Sequence, residues 1–506
     1  MIGWALSALA ALLHGATAGE YGYFRDELYF IACSKHLAWG YVDQPPLVAV
    51  AAWLAAPFGY HLVALRALPI VAAACTVGVA VSIARELGGG RFAQLLTGIA
   101  TLLLPAYLLL GNVLTTTSFE PLSWSLLIYA CLKIVRSSGR GVWWIVAAAA
   151  FAFGMYGKYS ILLLGAGSIV GMLATPQRRL LLSPWAFVSV LIALVLVAPN
   201  LAWQDLHEWP MMAVLAGDAA HRPGFTNGVA LEYRNLGINA VAFTIEQIVY
   251  TNPFAVPVWL TGVVAPFRVA SLRDLRFLSV AYVVVFAVAA LSAAKGYYIV
   301  GIYASLLAVG AVALESAAGW LRTGLAVAIV LVGIASMPLS IPILPVGAQI
   351  AYAQALGLTG HNGSPPQLVQ PVFAEEFGWE RLARDVGSVY ASLPPALRAR
   401  TAVYADTYAD AGAIDFYGPK YGLPPAISSQ NSYYLWGTRG YDGQTLIAIG
   451  ATRIDFLRTF YRSVRLVSTS TEPYKAVVEG PSPIYLCTDP VEPLDRFWPA
   501  LRWYGA

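Results

Sequence analysis

The sequence predicts a polytopic α-helical membrane protein that carries a C-terminal α/β domain outside the membrane. Of the 506 residues, 58% are hydrophobic and only 11% are charged, whereas soluble globular chains carry about 25% charged residues. The mean hydropathy is +0.64, and the apolar residues are concentrated in long runs before residue 345. These observations exclude a soluble enzyme, a disordered chain and a coiled coil.

The apolar runs before residue 345 predict about eleven membrane spans when they are read in windows of about 20 residues. A shorter run at 47–58 is typical of a re-entrant or interfacial helix. The predicted spans lie near 2–19, 62–84, 92–110, 119–135, 142–156, 160–175, 184–203, 239–264, 277–294, 298–314 and 323–343.

Basic residues in the connections between these spans predict the orientation, because short cytoplasmic loops are enriched in Lys and Arg. Most of these basic residues follow even-numbered spans, so we place the connections that hold them and the N-terminus in the cytoplasm. With an odd number of spans, the C-terminal domain is then periplasmic or extracellular. The basic residues are Arg85, Arg91, Lys133, Arg136, Arg140, Arg178, Arg179, Arg268, Arg273, Arg276 and Arg322.

Two domains are expected: a transmembrane module at 1–344 and the outside domain at 345–506. In the second, residues 376–393 have helical periodicity, which together with short β-rich runs predicts an α/β arrangement. No glycine-rich nucleotide motif is present in the sequence. The β-rich runs lie at 401–405, 445–449, 464–469 and 484–487, with helix-like segments at 410–417 and 454–462 between them.

Several other classes of function are excluded by composition and spacing. The net charge of +4 is small and dispersed, which argues against nucleic acid as a partner. Four cysteines in a chain of this length do not make a disulfide scaffold. The six histidines form no HxxxH or HExxH pair, and no GxSxG occurs, so neither a zinc enzyme nor a serine hydrolase of that type is indicated.

The first predicted outside loop, at 20–61, is the part of the chain richest in candidate functional residues. Aromatic residues surround its acids, and a double proline stiffens the backbone. Carboxylates accept hydroxyl protons and aromatic rings stack on sugar faces or isoprenoid chains, so this mixture is typical of carbohydrate and lipid-phosphate sites. An aromatic interfacial belt with solvated charges is the alternative. The charged candidates are Arg25, Asp26, Glu27 and Asp43.

Three further charged residues lie at the outer ends of predicted spans. Glu120 is at membrane depth, where a carboxylate is costly and usually functional or paired; capping of its own helix is the alternative. Lys158 and Lys295 lie on the face that otherwise lacks basic residues in short loops. They are candidates for phosphate contacts, together with Tyr297 and Tyr298, and snorkelling to the interface is their alternative.

The stretches Arg25–Phe30 (RDELYF) and Tyr41–Leu47 (YVDQPPL) resemble the bacterial branch of the protein O-mannosyltransferase and lipid A aminoarabinose transferase families. These families are GT-C fold glycosyltransferases. The similarity covers the membrane part well and the C-terminal part thinly. It extends to Asn112–Leu122 (NVLTTTSFEPL), Gly157–Ser160 (GKYS), Ala294–Tyr298 (AKGYY) and Gln430–Gly437 (QNSYYLWG).

The resemblance implies an inverting glycosyltransferase of the bacterial plasma membrane. It would move a sugar from a polyprenyl-phosphate donor to a hydroxyl of a cell-envelope lipid, polysaccharide or protein on the outer face. Asp26 would be the catalytic base, Glu27 and Asp43 would orient Asp26 or the acceptor, and Glu120 matches a further family carboxylate. No cofactor is expected; Mg²⁺ or Mn²⁺ held by the three loop acids is the alternative.

Lys158 and Lys295, together with Arg25, Tyr297 and Tyr298, would hold the lipid-phosphate leaving group, whose negative charge grows in the transition state. The aminoarabinose branch has a Glu-Lys-Pro-Pro pattern where this chain reads Asp-Gln-Pro-Pro. Arg25 or Lys158 would then replace the missing lysine. The identity of the transferred sugar therefore stays open.

Residues Asn431, Tyr433 and Trp436 are candidates for acceptor binding, with an ordinary surface turn as the alternative. For the whole protein, the alternative function is a polytopic transporter or lipid-linked-sugar flippase, because intramembrane charges also mark substrate pathways. The sequence shows no paired repeats with broken helices, which transporters often have. A receptor-like scaffold would leave the clustered loop acids unexplained.

Overall fold

The computed structural model shows a mostly helical chain that divides into two compact units. It describes residues 1–221, 224–226, 229–231, 236–292, 294–358, 371–450, 454–474 and 481–505, with side chains described outside 217–239. Unit 1 comprises Met1–Glu20, Val63–Ala202 and Arg222–Ile343. Unit 2 comprises Tyr21–Leu62, Trp203–His221 and Leu344–Ala506. The predicted outside loop is thus grouped with the C-terminal residues rather than with the transmembrane module.

Helices make up most of unit 1. Its short antiparallel hairpin pairs β1 (Gly224–Thr226) with β2 (Val229–Leu231). The α-helices are Ile2–Thr17, Leu62–Leu65, Ala67–Glu86, Arg91–Leu102, Pro105–Leu110, Glu120–Arg136, Gly141–Gly157, Ile161–Leu173, Pro184–Leu206, Leu236–Tyr250, Val256–Arg268, Arg276–Leu291, Tyr303–Leu314 and Gly319–Ser340. The 3₁₀ helices are Thr116–Phe119, Pro176–Leu182, Ala270–Leu275 and Gly296–Ile302.

Within the described part of the chain, 6 helices are long and apolar enough to cross a membrane. They are Ala67–Glu86, Thr116–Arg136, Pro184–Leu206, Ala270–Leu291, Gly296–Leu314 and Gly319–Ser340. A seventh is obtained if Ile161–Leu173 and Pro176–Leu182, which are bent by 114°, count as one span. The predicted polytopic helical membrane protein is therefore confirmed, while the number of about eleven spans stays a prediction.

Fewer long helices are observed than the about eleven spans predicted, mainly because several predicted spans are short helices. The predicted spans at 2–19 and 142–156 are helices of 16 and 17 residues, which measure about 24 and 26 Å at about 1.5 Å per residue. A hydrocarbon core is about 30 Å thick. The predicted span at 92–110 is interrupted at Leu103–Leu104, because Pro105 begins a new helix at its first position.

Glycines allow two pairs of helices in unit 1 to pack backbone against backbone. A Cβ atom at Gly310 would lie 1.8 Å from the carbonyl oxygen of Val258, and one at Gly262 would lie 2.1 Å from that of Leu306. At Gly171, a Cβ would lie 2.1 Å from the carbonyl oxygen of Phe277. Small residues at such contacts are typical of membrane helix packing.

Unit 2 contains a five-stranded mixed sheet in the order β4-β3-β5-β7-β6. Strand β3 pairs in parallel with β4 and β5, whereas β7 pairs antiparallel with β5 and β6. The strands are β3 (Thr401–Ala405), β4 (Ala426–Ile427), β5 (Thr445–Ile449), β6 (Tyr461–Ser470) and β7 (Ser482–Pro490). This arrangement confirms the predicted C-terminal α/β domain.

The remaining elements of unit 2 are helical. The α-helices are Arg25–Ser34, Leu47–Ala55, Pro210–His221, Val346–Ala355, Pro371–Ala374, Trp379–Ser392, Pro395–Arg398, Tyr408–Tyr417, Asn431–Leu435, Ile454–Phe460 and Leu494–Leu501. The 3₁₀ helices are Ala56–Phe58 and Gly418–Tyr421. The run at 47–58 is thus a short helix followed by a 3₁₀ turn.

One helix pair in unit 2 positions the candidate site. Helix Arg25–Ser34 packs on helix Tyr408–Tyr417, and a Cβ at Gly412 would lie 2.9 Å from the backbone carbonyl carbon of Leu28. Glycine is therefore needed at this crossing. The close approach brings the acids of the predicted outside loop to residues that follow β3.

Candidate active site

The adjacent acids Asp26 and Glu27 occupy the first turn of helix Arg25–Ser34, where negative charge is favoured by the helix dipole. Their environments differ. The Glu27 side chain is fully buried, and its Oε2 accepts a 2.9 Å hydrogen bond from the backbone N–H of Phe24. The Asp26 side chain keeps 28% of its surface exposed. Glu27 therefore caps its own helix, while Asp26 remains accessible.

The carboxylate of Asp26 is held by a phenol and lies near a guanidinium. The Tyr408 hydroxyl donates a 2.8 Å hydrogen bond to Asp26 Oδ1 and accepts a 2.8 Å hydrogen bond from Arg25. The Arg25 Nε lies 3.6 Å from the same Asp26 oxygen, and its Nη1 lies 3.4 Å from Glu375 Oε1. Arg25, predicted as a phosphate contact, is therefore engaged with acidic and phenolic partners within unit 2.

The second acid of the loop, Asp43, has a partner on each oxygen. The Tyr29 hydroxyl donates to Oδ1 at 2.8 Å, and the Asn431 amide donates to Oδ2 at 2.9 Å. Burial raises the pKa of Asp43 to about 7, although these hydrogen bonds oppose the shift. The ring of Tyr29 lies 4.7 Å from that of Tyr408, centroid to centroid. Two tyrosines whose rings are in contact therefore connect the two acids.

Only Asn431 of the three predicted acceptor residues contacts the loop acids. The Tyr433 hydroxyl donates to Asp415 at 3.0 Å, and its side chain is almost fully buried. The ring of Trp436 stacks on that of His36 at 4.4 Å. The structure thus brings one of the three residues to an acid of the loop, while the other two contact Asp415 and His36.

The second cluster of predicted residues lies in unit 1, around Lys158 at the end of helix Gly141–Gly157. Its Nζ donates to Thr117 Oγ1 at 2.7 Å and lies 3.6 Å from Glu120 Oε2. The same ammonium lies 4.6 Å and 4.3 Å from the ring centroids of Tyr297 and Tyr298, which is cation–π geometry. These predicted residues are therefore brought together.

Lys295 flanks this unit 1 cluster. It is exposed and immediately precedes the 3₁₀ helix Gly296–Ile302. Burial, chiefly, and the nearby charge of Lys295 lower the pKa of Lys158 to about 8, while the Glu120 carboxylate opposes this shift. The unit 1 cluster thus combines two cations with one deeply buried carboxylate.

Comparison with known proteins agrees with this architecture. Residues 43–203 match the family model described as dolichyl-phosphate-mannose-protein mannosyltransferase. The crystal structure of ArnT from Cupriavidus metallidurans in the apo state aligns with a TM-score of 0.64 and 15% identity over 95% of this chain and 97% of that chain. ArnT from the same organism bound to undecaprenyl phosphate aligns with a TM-score of 0.62 and 15% identity over the same shares. The chain has a GT-C fold.

The family match and the GT-C fold together indicate a glycosyltransferase. The matched segment contains Asp43, Glu120 and Lys158, whereas Asp26 and Asn431 lie outside it. No curated protein sequence matches the chain. The roles of individual residues therefore rest on their chemistry and contacts.

Metal binding by the loop acids finds no geometric support in the part of this GT-C chain that is described. There, no group of three or more His, Cys, Asp or Glu side chains could hold a metal ion. The carboxylates of Asp26, Glu27 and Asp43 each accept a hydrogen bond from the protein instead.

Two residues of this site, Tyr408 and Glu375, were missed by the sequence analysis. Tyr408 is 382 positions from Asp26, and Glu375 is 350 positions from Arg25. Neither lies in a recognisable motif. Only the packing of helix Arg25–Ser34 on helix Tyr408–Tyr417 could have identified the tyrosine.

Proposed function

We propose that this chain is an inverting glycosyltransferase that uses a polyprenyl-phosphate sugar as donor. The acceptor is a hydroxyl of a cell-envelope lipid, polysaccharide or protein. Transfer takes place on the outer face of the bacterial plasma membrane, with the N-terminus in the cytoplasm and the C-terminal domain outside. The observation that carries this proposal is the accessible Asp26 carboxylate, fixed by the Tyr408 hydroxyl at 2.8 Å.

Asp26 is assigned the role of general base. It takes the proton of the acceptor hydroxyl while that oxygen attacks the anomeric carbon of the donor. The bond between the anomeric carbon and the phosphate oxygen breaks, and the lipid phosphate leaves with the electron pair. One displacement inverts the anomeric centre. A base must also be aimed at the hydroxyl, and the hydrogen bond from Tyr408 holds the Asp26 carboxylate in one orientation.

Lys158 is assigned to the departing phosphate, with Lys295 as a second cation. Negative charge grows on the phosphate oxygens during departure, and a preplaced ammonium stabilises it. Glu120 and Thr117 hold the Lys158 side chain in place. The structure of ArnT with bound undecaprenyl phosphate supports a lipid phosphate as ligand.

The other loop acids are assigned positioning roles. Glu27 stabilises the helix turn that carries Asp26. Asp43 anchors Tyr29 and Asn431, through which it supports the arrangement around Asp26. No metal takes part in this proposal, because Asp26 and Lys158 supply the base and the counter-charge.

The test is transfer from defined donors by the purified protein in lipid nanodiscs. Synthetic undecaprenyl-phosphate sugars are supplied one at a time with cell-envelope lipids, glycans and proteins, and products are identified by mass spectrometry. The anomeric configuration is read by NMR, and we expect inversion. Retention of configuration would contradict the single displacement. Movement of the donor from one leaflet to the other in vesicles that contain the protein, without any sugar transfer, would instead establish a flippase.

A further inference from the structure

We propose that residues 344–506 are part of the catalytic machinery, because Tyr408 and Asn431 of this block position the carboxylates of Asp26 and Asp43. The inference rests on the proposed function, since it concerns the same base. It assigns positioning roles, as neither residue needs to touch the substrate. All four residues belong to unit 2.

The hydroxyl of Tyr408 determines how Asp26 is presented. A phenol has a single proton, and it is donated to Asp26, so the same oxygen accepts from Arg25. The guanidinium Nε stays 3.6 Å from the carboxylate, beyond ordinary hydrogen-bond length. Tyr408 therefore stands where a bidentate Arg25–Asp26 pair would otherwise form. Such a pair would occupy both carboxylate oxygens.

The contacts of Tyr408 and Arg25 leave the second carboxylate oxygen of Asp26 to face the acceptor hydroxyl. Within the described residues, the hydrogen bond and the ion pair of Asp26 both involve Oδ1. Oδ2 is then the atom that takes the acceptor proton. Exchange of the phenol for a phenyl ring, which has no hydroxyl to donate, would loosen this geometry without removing the base.

The amide of Asn431 is fixed from both sides. Its Oδ1 accepts a 3.1 Å hydrogen bond from the backbone N–H of Gly505, so its Nδ2 is the atom that faces Asp43. The backbone N–H of Asn431 also donates to the carbonyl of Trp503 at 3.0 Å. Its φ of 49° is left-handed, a conformation in which Asn is enriched among non-glycine residues.

The two positioning contacts are joined through Tyr29. Its ring lies against that of Tyr408, its hydroxyl donates to Asp43, and the backbone N–H of Ser432 donates to that hydroxyl at 3.2 Å. A continuous path therefore runs from one acid to the other through side chains of the loop and of residues 344–506. The geometry of the base depends on the C-terminal block being folded on helix Arg25–Ser34.

The first test is Tyr408→Phe in the full-length protein, which removes the hydroxyl and keeps the ring beside Tyr29. Hydrogen bonds to charged groups are typically worth a factor of about ten to a hundred, and we expect kcat to fall by that factor with donor KM within about twofold. The charged groups that face this pair, Arg25, Glu375 and Asp43, are unchanged in the variant.

The matched control is Tyr404→Phe. Tyr404 is almost fully buried on β3, and its hydroxyl shares a 2.8 Å hydrogen bond with Ser429. The control should keep the wild-type kcat and donor KM. A merely structural role for Tyr408 would lower the yield of folded protein but would leave kcat per folded molecule at the wild-type value, which overturns the proposal.

The second test is Asn431→Gly, which tolerates the positive φ and removes the amide. We expect kcat, expressed per folded molecule, to fall by about tenfold. Wild-type kcat in both Tyr408→Phe and Asn431→Gly would overturn the inference while leaving the proposed function intact, provided that Asp26→Asn is inactive. An active Asp26→Asn variant would instead overturn the proposed function itself.

Discussion

Lys158 and Glu120 form an ion pair at 3.6 Å in which the carboxylate side chain is only 1% exposed. A buried charge whose partner is removed is costly, typically by about 3–5 kcal/mol. The pair therefore holds Lys158 in one position beside Tyr297 and Tyr298. A fixed ammonium is what a departing phosphate needs.

Replacement of the Lys158 ammonium tests whether this residue stabilises the departing phosphate. Lys158→Gln keeps a polar side chain but removes the charge, so the leaving group loses its electrostatic stabilisation. We expect kcat with a polyprenyl-phosphate donor to fall by about 10²–10³, the usual effect of one lost transition-state donor. Single-turnover kinetics, which separate chemistry from donor binding, provide the measurement.

Lys133→Gln is the matched control for that variant. Lys133 lies 3.0 Å from Glu86 and 5.1 Å from the ring centroid of Trp143, so it has the same kinds of partner. It belongs to the basic residues predicted on the cytoplasmic side, and its loss should leave kcat unchanged. Equal effects of the two variants would show that a lysine–carboxylate pair is needed only for folding.

The pH dependence of stability should report on Asp43. Burial raises its folded-state pKa to about 7, above the ordinary value near 4. An acid whose pKa is higher in the folded state than in the unfolded state contributes stability that is fully present below about pH 4. This contribution is lost as the pH rises through about 7. We expect the wild-type melting temperature to fall between these limits, and Asp43→Asn to show a smaller slope. Parallel slopes for the two proteins in differential scanning fluorimetry would contradict this assignment.

Glu27 and Asp26 should respond differently to the same kind of substitution. Glu27→Gln removes the negative charge at the helix start, and we expect the free energy of unfolding to fall by about 1 kcal/mol. Turnover per folded molecule should be retained. Thermal melting measures the loss of stability, and rates normalised to the amount of folded protein measure the loss of turnover. Abolished turnover with an unchanged melting temperature would give Glu27 a direct part in the chemistry.

The absence of a metal from the proposed mechanism predicts that turnover survives EDTA. The loop carboxylates already accept hydrogen bonds from Phe24, Tyr29 and Tyr408. Initial rates before and after chelation, with Mg²⁺ or Mn²⁺ added back, provide the measurement. Loss of activity that either ion restores would establish a metal-dependent enzyme.

The sequence was a good guide to features that depend on local periodicity. The β-rich runs at 401–405 and 445–449 are the strands β3 and β5, and the acids, prolines and lysines of the site lie in recognisable motifs. Local periodicity alone could not distinguish Asp26 from Glu27, because neighbours on a helix point about 100° apart and tertiary packing decides which one is buried; only the family resemblance singled out Asp26 as the base. Tyr408 was missed for a related reason, since its position opposite Asp26 arises only when two distant helices pack together.

The most direct test of the account is the rate of sugar transfer by Asp26→Asn. The variant keeps an oxygen that can accept from Tyr408 but cannot take a proton, so we expect turnover to fall by about 10²–10⁴ with little change in melting temperature. Asp455→Asn, at a side chain that is 89% exposed, should behave as the wild type. Wild-type turnover by Asp26→Asn, measured with the same donor and acceptor, would contradict the assignment of Asp26 as the catalytic base.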